Sequence, residues 1–420
     1  MCLLKLIPLI HFTKKILPNG LTLIHHFDED TTLAVINILY KVGARNENPN
    51  KTGFAHLFEH LMFGGSKNIP SYDAPLQIVG GENNAFTNND ITNYYLTVPT
   101  NNIETGFWLE SDRMLELDFN ENSLDVQKKV VCEEFKQRYL TQPYGDAFLK
   151  LRKLAYTTHP YRWPTIGMEL SHIEQANLKD VKEFFYKFYA PDNAIMVVAG
   201  NITLEKTIDL TEKYFGDIPN RDVHHISLPK EPPQIEARKL TVKSDVPMKA
   251  IYKAWHMCSR IHPDYQTTDL ISDILSGGQS GRLYQTLVKE KQIFVDLNAY
   301  ITGDVDPGLF VIEGKLNQNI TFEIAEKEIN DILKTITELL IEEKELEKVK
   351  NKALTLMAFA ETNTLNKAMS LAFAEMIGKI EWINEEVELY NKVKVEDIKR
   401  VSNAIFKENN CSTLFYDTIE

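Results

Sequence analysis

His56, Glu59 and His60 stand in one short stretch, His-Leu-Phe-Glu-His, with the histidines four residues apart. On a helix each residue turns about 100°, so both imidazoles lie on one face, one turn apart, with Glu59 beside them. Two such nitrogens can grip one cation, and the adjacent carboxylate can take a proton from a water that the cation acidifies. Zinc suits this donor set. It accepts imidazole nitrogen and carboxylate oxygen, and a catalytic zinc keeps one position open for water. It polarises a carbonyl and brings the pKa of water from about 15.7 toward 7. Two histidines leave the site one protein ligand short, and a glutamate from another helix would complete it. Glu133 and Glu134, in Val-Val-Cys-Glu-Glu-Phe-Lys, are the candidates. Adjacent helical residues point about 100° apart, so only one of them faces the metal. Val126, Val130 and Val131 suggest the core-facing side of that helix but do not decide between the two.

With 11 His and 36 Glu in 420 residues, the pattern H-x-x-E-H arises by chance in about 2–3% of such chains. Its context weighs against chance. The motif lies in an otherwise apolar segment, GFAHLFEHLMFGG, where three polar groups on one face are costly without partners. A metal ion supplies the partner.

The elements that must position these residues are legible nearby. Thr52–Phe63 reads as a helix stopped by Gly64-Gly65. Lys14–Ile24 reads as a hairpin turning at Asn19-Gly20, and Leu33–Gly43 as a buried strand. Asn83–Val98 reads as a strand or hairpin, Ser123–Leu140 as a helix and Ala194–Ala199 as another buried strand. From about His224 to Lys239 the pattern dissolves into a Pro-Pro linker of mixed charge. A similar order of elements then restarts. The expectation is an α+β chain of two homologous domains, each a mainly antiparallel sheet packed against helices. Residues 1–223 form the zinc-binding domain, 224–239 the linker, and 240–420 a similar domain without a metal site. The charged segment Thr321–Lys352 reads as solvated helix face.

Composition narrows the function. The net charge of −13 argues against nucleic-acid binding, which needs a basic footprint. A chain this long buries a core without a structural metal, so zinc here serves chemistry. Cys2, Cys132, Cys258 and Cys411 form no C-x-x-C pair and fit reduced thiols in the cytoplasm, with secretion or a periplasmic location left open. No window approaches 18 consecutive apolar residues, so no membrane span is expected. The opening MCLLKLIPLIHFTKK reads as a first strand or docking arm, with a weak signal peptide as the alternative. His159 reads as a loop or packing residue, and His25-His26 and His224-His225 as exposed strand and linker residues.

The chain resembles the pitrilysin (M16) zinc metallopeptidases, a family that includes insulin-degrading enzyme and the mitochondrial processing peptidase, and within it the short-chain, M16B-like bacterial type. The resemblance rests on GARNENPNKTGFAHLFEHLMFGGS, NNAFTNNDITNYYLTVP, VVCEEFKQR, APDNAIMVVAGN and GGQSGRLYQTLV, and covers nearly the whole chain. It implies His56, His60 and Glu134 as ligands of one zinc ion per chain and Glu59 as the general base. Gln127 stands where the family often carries a second acid. The resemblance also implies that Asn84, Ala85 and Phe86 lie on an edge strand that binds substrate backbone by strand addition. One departure stands out. Active relatives carry an Arg and a Tyr seven residues apart in the later half, and here Val288 and Val295 take those places. Arg282 and Tyr284 fall earlier and only two apart.

These readings lead to a zinc endopeptidase acting on peptides or unfolded segments. The resemblance implies half of a clam-like chamber, completed by a zinc-lacking paralogous subunit that supplies the Arg–Tyr pair, or by a second copy in a homodimer. The rivals are a non-catalytic subunit or scaffold of the same fold and a small-molecule metallohydrolase.

Overall fold

The computed structural model describes residues 9–224 and 227–419. They form two compact units, each a sheet covered by helices.

The first unit takes in residues up to Phe135, Trp163–Leu228 and Ala358–Glu385. Its strands are β1 (Thr13–Ile16), β2 (Thr22–Phe27), β3 (Leu33–Tyr40), β4 (Glu82–Thr87), β5 (Thr92–Pro99) and β6 (Ala194–Gly200). They lie in the order β1-β2-β6-β3-β5-β4. Only β2 and β6 run parallel; the other pairs are antiparallel. The β1–β2 hairpin turns at Asn19-Gly20, where Gly20 has φ +90° and a side chain would be strained. β3 and β6 sit in the middle and are buried almost throughout, which is why they read as continuous apolar runs. One face, with Ile24, Val35, Leu39 and Val197, is covered by the helix Thr364–Met376 through Ala368, Leu371 and Ala372. Among the described residues β4 pairs only with β5 and is the edge of the sheet.

The second unit takes in Lys136–Arg162, Pro229–Met357 and Glu386–Glu420. Its strands are β7 (Arg238–Ser244), β8 (Ala250–His256), β9 (Phe294–Ile301), β10 (Leu309–Leu316) and β11 (Cys411–Thr418). Their order is β7-β11-β8-β10-β9, with β7 and β11 parallel and the rest antiparallel. The order repeats that of β2-β6-β3-β5-β4, parallel pair included, as the duplicated sequence pattern anticipates. The helix Ala147–Ala155 covers one face, packing Leu151 among Ala250, Leu309, Val311 and Leu414.

The units therefore differ from a single cut at the 224–239 linker. Residues 136–162 belong with the second sheet and 358–385 with the first. Helical periodicity identifies an apolar face but not the sheet it will cover, so 1–223 and 240–420 were the natural reading of the sequence. Residues 1–8 of the opening stretch and His225 of the linker lie outside the described residues. The charged segment Thr321–Lys352 comprises two helices, Phe322–Thr337 and Glu343–Ala360, whose apolar stripes are buried.

Candidate metal centre

The His56–Glu59–His60 stretch lies on the helix Phe54–Leu61. Phe54, Leu57, Phe58 and Leu61 turn inward. Phe58 stacks on Phe184 and Tyr189 with ring centroids 5.0 Å away in both cases. This packing turns His56 and His60 to the opposite, partly open side, with side chains 12% and 25% exposed. Their rings stand edge to face, centroids 4.9 Å apart.

Glu134 arrives from a second helix, Glu121–Phe135. Its Oε2 lies 3.5 Å from His56 Nε2 and 3.6 Å from His60 Nε2. Ligands about 2.1 Å from a tetrahedral zinc stand about 3.4 Å apart, so these separations are those of two edges of a zinc tetrahedron. They are also too long for hydrogen bonds. Two imidazole nitrogens and one carboxylate oxygen, all within 4.8 Å of one another, form the one such cluster among the described residues. The donor set fits zinc with a coordination position to spare.

The helix Glu121–Phe135 is held by Leu124, Val131, Cys132 and Phe135, all buried. Val126 and Val130, read from the sequence as core-facing, are 55% and 45% exposed. Val130 stands one turn before Glu134, toward the open side of the cluster rather than the core. Glu133 is exposed, about 100° away from Glu134. Gln127 is half-buried two turns before Glu134.

Glu59 is next to the cluster and touches Thr87 at the end of β4. Burial pushes its carboxyl above the ordinary range. The Thr87 hydroxyl and His60 pull it down, and Glu134 pushes it up. Thr87 also reaches the Ala55 carbonyl, 3.5 Å away, so the edge strand and the metal helix meet at this residue. Upstream in β4, Asn84 and Phe86 are exposed while Ala85 is buried. All three lie on the strand whose outer edge pairs with no other strand among the described residues.

A buried carboxylate that sequence reasoning passed over completes the site. Glu47, 6% exposed, accepts the Gly53 amide through Oε2 and the Ala55 amide through Oε1, each at 2.8 Å. Burial pushes its carboxyl up to about 8 against the pull of the Ala55, Gly53 and Phe54 amides. The signal in the sequence was an acid just before an uncapped helix, but only the fold shows that it reaches back.

In the second unit, the helix Tyr265–Ser276 lies between β8 and β9 as the metal helix lies between β3 and β4, and it carries no histidine. Val288 is half-buried against that unit's core and Val295 is exposed on β9. Arg282 is engaged elsewhere: its guanidinium donates to both carboxylate oxygens of Glu345, at 2.9 and 2.6 Å, and to Thr335 Oγ1 at 2.7 Å. His159 is a packing residue, 4% exposed, with Nδ1 accepting the Tyr161 amide at 3.1 Å.

Residues 24–167 match the family model described as insulinase (peptidase family M16), and residues 175–353 match the M16 peptidase inactive domain. The chain is 30% identical over 408 residues to the zinc protease PqqE of Helicobacter pylori, covering 95% of this chain and 91% of that one. It belongs to the M16 peptidase family. An uncharacterized zinc protease of Bacillus subtilis, YmxG, is 25% identical, covering 93% of this M16 peptidase and 95% of its own length. The crystal structure of a protease from Helicobacter pylori superposes with a TM-score of 0.91 at 29% identity, covering 97% of this chain and all of that one. The two sheets packed against helices are thus the two-domain fold of M16 peptidases, a family of zinc metalloproteases. Among the described residues of this M16 peptidase, no helix is long and apolar enough to cross a membrane.

Proposed function

We propose that this chain is a zinc-dependent endopeptidase that hydrolyses peptides or unfolded polypeptide segments, with His56, His60 and Glu134 holding one zinc ion and Glu59 acting as general base. The observation that carries this reading is the convergence of His56 Nε2 and His60 Nε2 on one Glu134 oxygen, at 3.5 and 3.6 Å, with Glu59 on the same helix. When bound, zinc supplies Lewis acidity, polarising the scissile carbonyl and acidifying water.

The chain's own residues do the rest. The outer edge of β4, with Asn84, Ala85 and Phe86, pairs with the backbone of an extended peptide. Strand pairing reads backbone rather than sequence, so it favours unfolded segments. Glu59 takes the proton from the attacking water as its oxygen bonds to the carbonyl carbon. It then delivers that proton to the amine nitrogen as the C–N bond breaks. Thr87, which lies beside the Glu59 carboxyl and favours its ionised form, keeps it next to the His56–His60–Glu134 cluster.

The catalytic unit is a dimer in this reading. Val288 and Val295 cannot donate a hydrogen bond to an oxyanion, and Arg282 is committed to Glu345. A paralogous subunit without the zinc residues supplies the Arg–Tyr pair, with a homodimer as the alternative.

The test is cleavage of a quenched, unstructured peptide by the purified chain, alone and together with its paralogous subunit, before and after chelation and again after zinc is restored. Cleavage lost with the metal and regained with zinc is the expected result. Cleavage indifferent to chelation would contradict the reading. A fully active monomer would contradict the dimer.

A further inference from the structure

The metal helix is short, eight residues, and its own N-terminus has no side-chain cap. Its N-cap is Gly53, held at φ +90° and ψ 4°. No Ser, Thr or Asp can replace it there. A Cβ at Gly53 would stand 2.6 Å from the Ile166 carbonyl oxygen, and the left-handed backbone is strained for any side chain. Yet the first amides of a helix need acceptors, and this end of the helix is buried.

Glu47 supplies them from outside the helix. Its two carboxylate oxygens take one amide each, Gly53 and Ala55, both at 2.8 Å. Glu47 is itself held in place. It directly follows a single turn, Ala44–Asn46, and the Trp163 indole donates to the Ala44 carbonyl at 2.8 Å. Ala55 adjoins His56, so one amide bond fixes the backbone next to the first proposed zinc ligand. Thr52, fully buried, secures the residue before the N-cap by bonding His172 Nδ1 at 2.8 Å and accepting the Met168 amide at 2.7 Å.

We infer that Glu47 is a positioning residue for the metal centre, serving as a remote carboxylate cap that sets the rotation and position of the His56–His60 helix relative to Glu134. The inference rests on the metal-centre reading above. Groups that orient metal ligands shift affinity about 10–100-fold when removed, and a cap acting on the backbone beside a ligand works the same way.

The experiment measures zinc affinity by competition with a chromophoric chelator above about pH 8, where the Glu47 carboxyl is ionised, together with amide exchange at Gly53 and Ala55 in the zinc-free protein. The variants are Glu47→Ala, Glu47→Gln, Glu134→Ala and Leu371→Ala. Glu47→Gln keeps size but turns one acceptor into a donor, so it loses one of the two bonds. Both Glu47 variants are expected to bind zinc about 10–100-fold more weakly, with faster exchange at Gly53 or Ala55. Leu371→Ala, a cavity in the same unit's core, is expected to lower the melting temperature without moving zinc affinity. Zinc affinity within about twofold of wild type in the Glu47 variants, while Glu134→Ala loses zinc, overturns the inference and leaves the metal centre standing. Undiminished zinc binding by Glu134→Ala overturns both. If Glu47→Ala does not fold, Glu47→Gln carries the test by the same criterion.

Discussion

Oε2 of Glu134 stands 3.5 Å from Nε2 of His56, although the two residues come from separate helices. The separation is that of neighbouring ligands on a zinc ion. Glu134→Ala is therefore expected to weaken zinc binding by about two orders of magnitude or more, beyond what the loss of an orienting group costs. Glu133→Ala, altering an exposed side chain on the same helix, is expected to leave zinc content at wild-type level. Metal analysis of both proteins after dialysis against a weak chelator checks the pair.

Thr87 joins the edge strand to Glu59. Replacing it with valine keeps the shape but removes the hydroxyl. Cleavage is expected to fall about tenfold, a fraction of what general-base catalysis contributes, with zinc still bound. Steady-state kinetics and zinc content of Thr87→Val measure both.

Glu47 carries a pH signature in stability. Its folded carboxyl is pushed up to about 8 from an ordinary 4.5. Between those values the unfolded chain ionises while the folded chain keeps the proton. This contribution to stability is therefore complete below about 4.5, declines as pH rises, and is gone above about 8. Denaturant unfolding of the zinc-free protein across that window is expected to show a steeper decline for wild type than for Glu47→Gln. Parallel curves would remove the titration from Glu47.

Arg282 is bound to Glu345 and Thr335. Truncating it strands a partly buried carboxylate, so Arg282→Ala is expected to cost about 1–3 kcal/mol of stability. Peptide cleavage by the folded variant is expected to stay within about twofold of wild type. A large loss of turnover without loss of stability would return Arg282 to the reaction.

Much of this was legible in the chain. The helix bearing His56 and His60, the β1–β2 hairpin at Asn19-Gly20 and the β4–β5 pair all follow from local periodicity and turn chemistry, which act over a few residues. What escaped depends on tertiary contact. Periodicity showed an apolar stripe through Val126 and Val130 but could not tell a core face from an open one, and the structure leaves both exposed. Periodicity alone left Glu133 and Glu134 open and the family resemblance named Glu134; the structure adds the rotation of that helix, with Val131 and Phe135 buried and Glu134 turned toward His56. The sheets that the helices Ala147–Ala155 and Thr364–Met376 cover were not legible either, because an apolar helix face does not name its partner. Glu47 was invisible as a cap because its acceptors reach a helix that begins several residues later, beyond the span of a local capping motif.

The most direct test of the account measures zinc content and peptide cleavage on the same sample of Glu59→Gln. Glutamine keeps the size of the side chain and cannot take the proton. Glu59→Gln is expected to hold about one zinc per chain, as in wild type, with cleavage reduced about 10²–10⁴-fold. Cleavage within a few-fold of wild type, with zinc in place, would contradict the account.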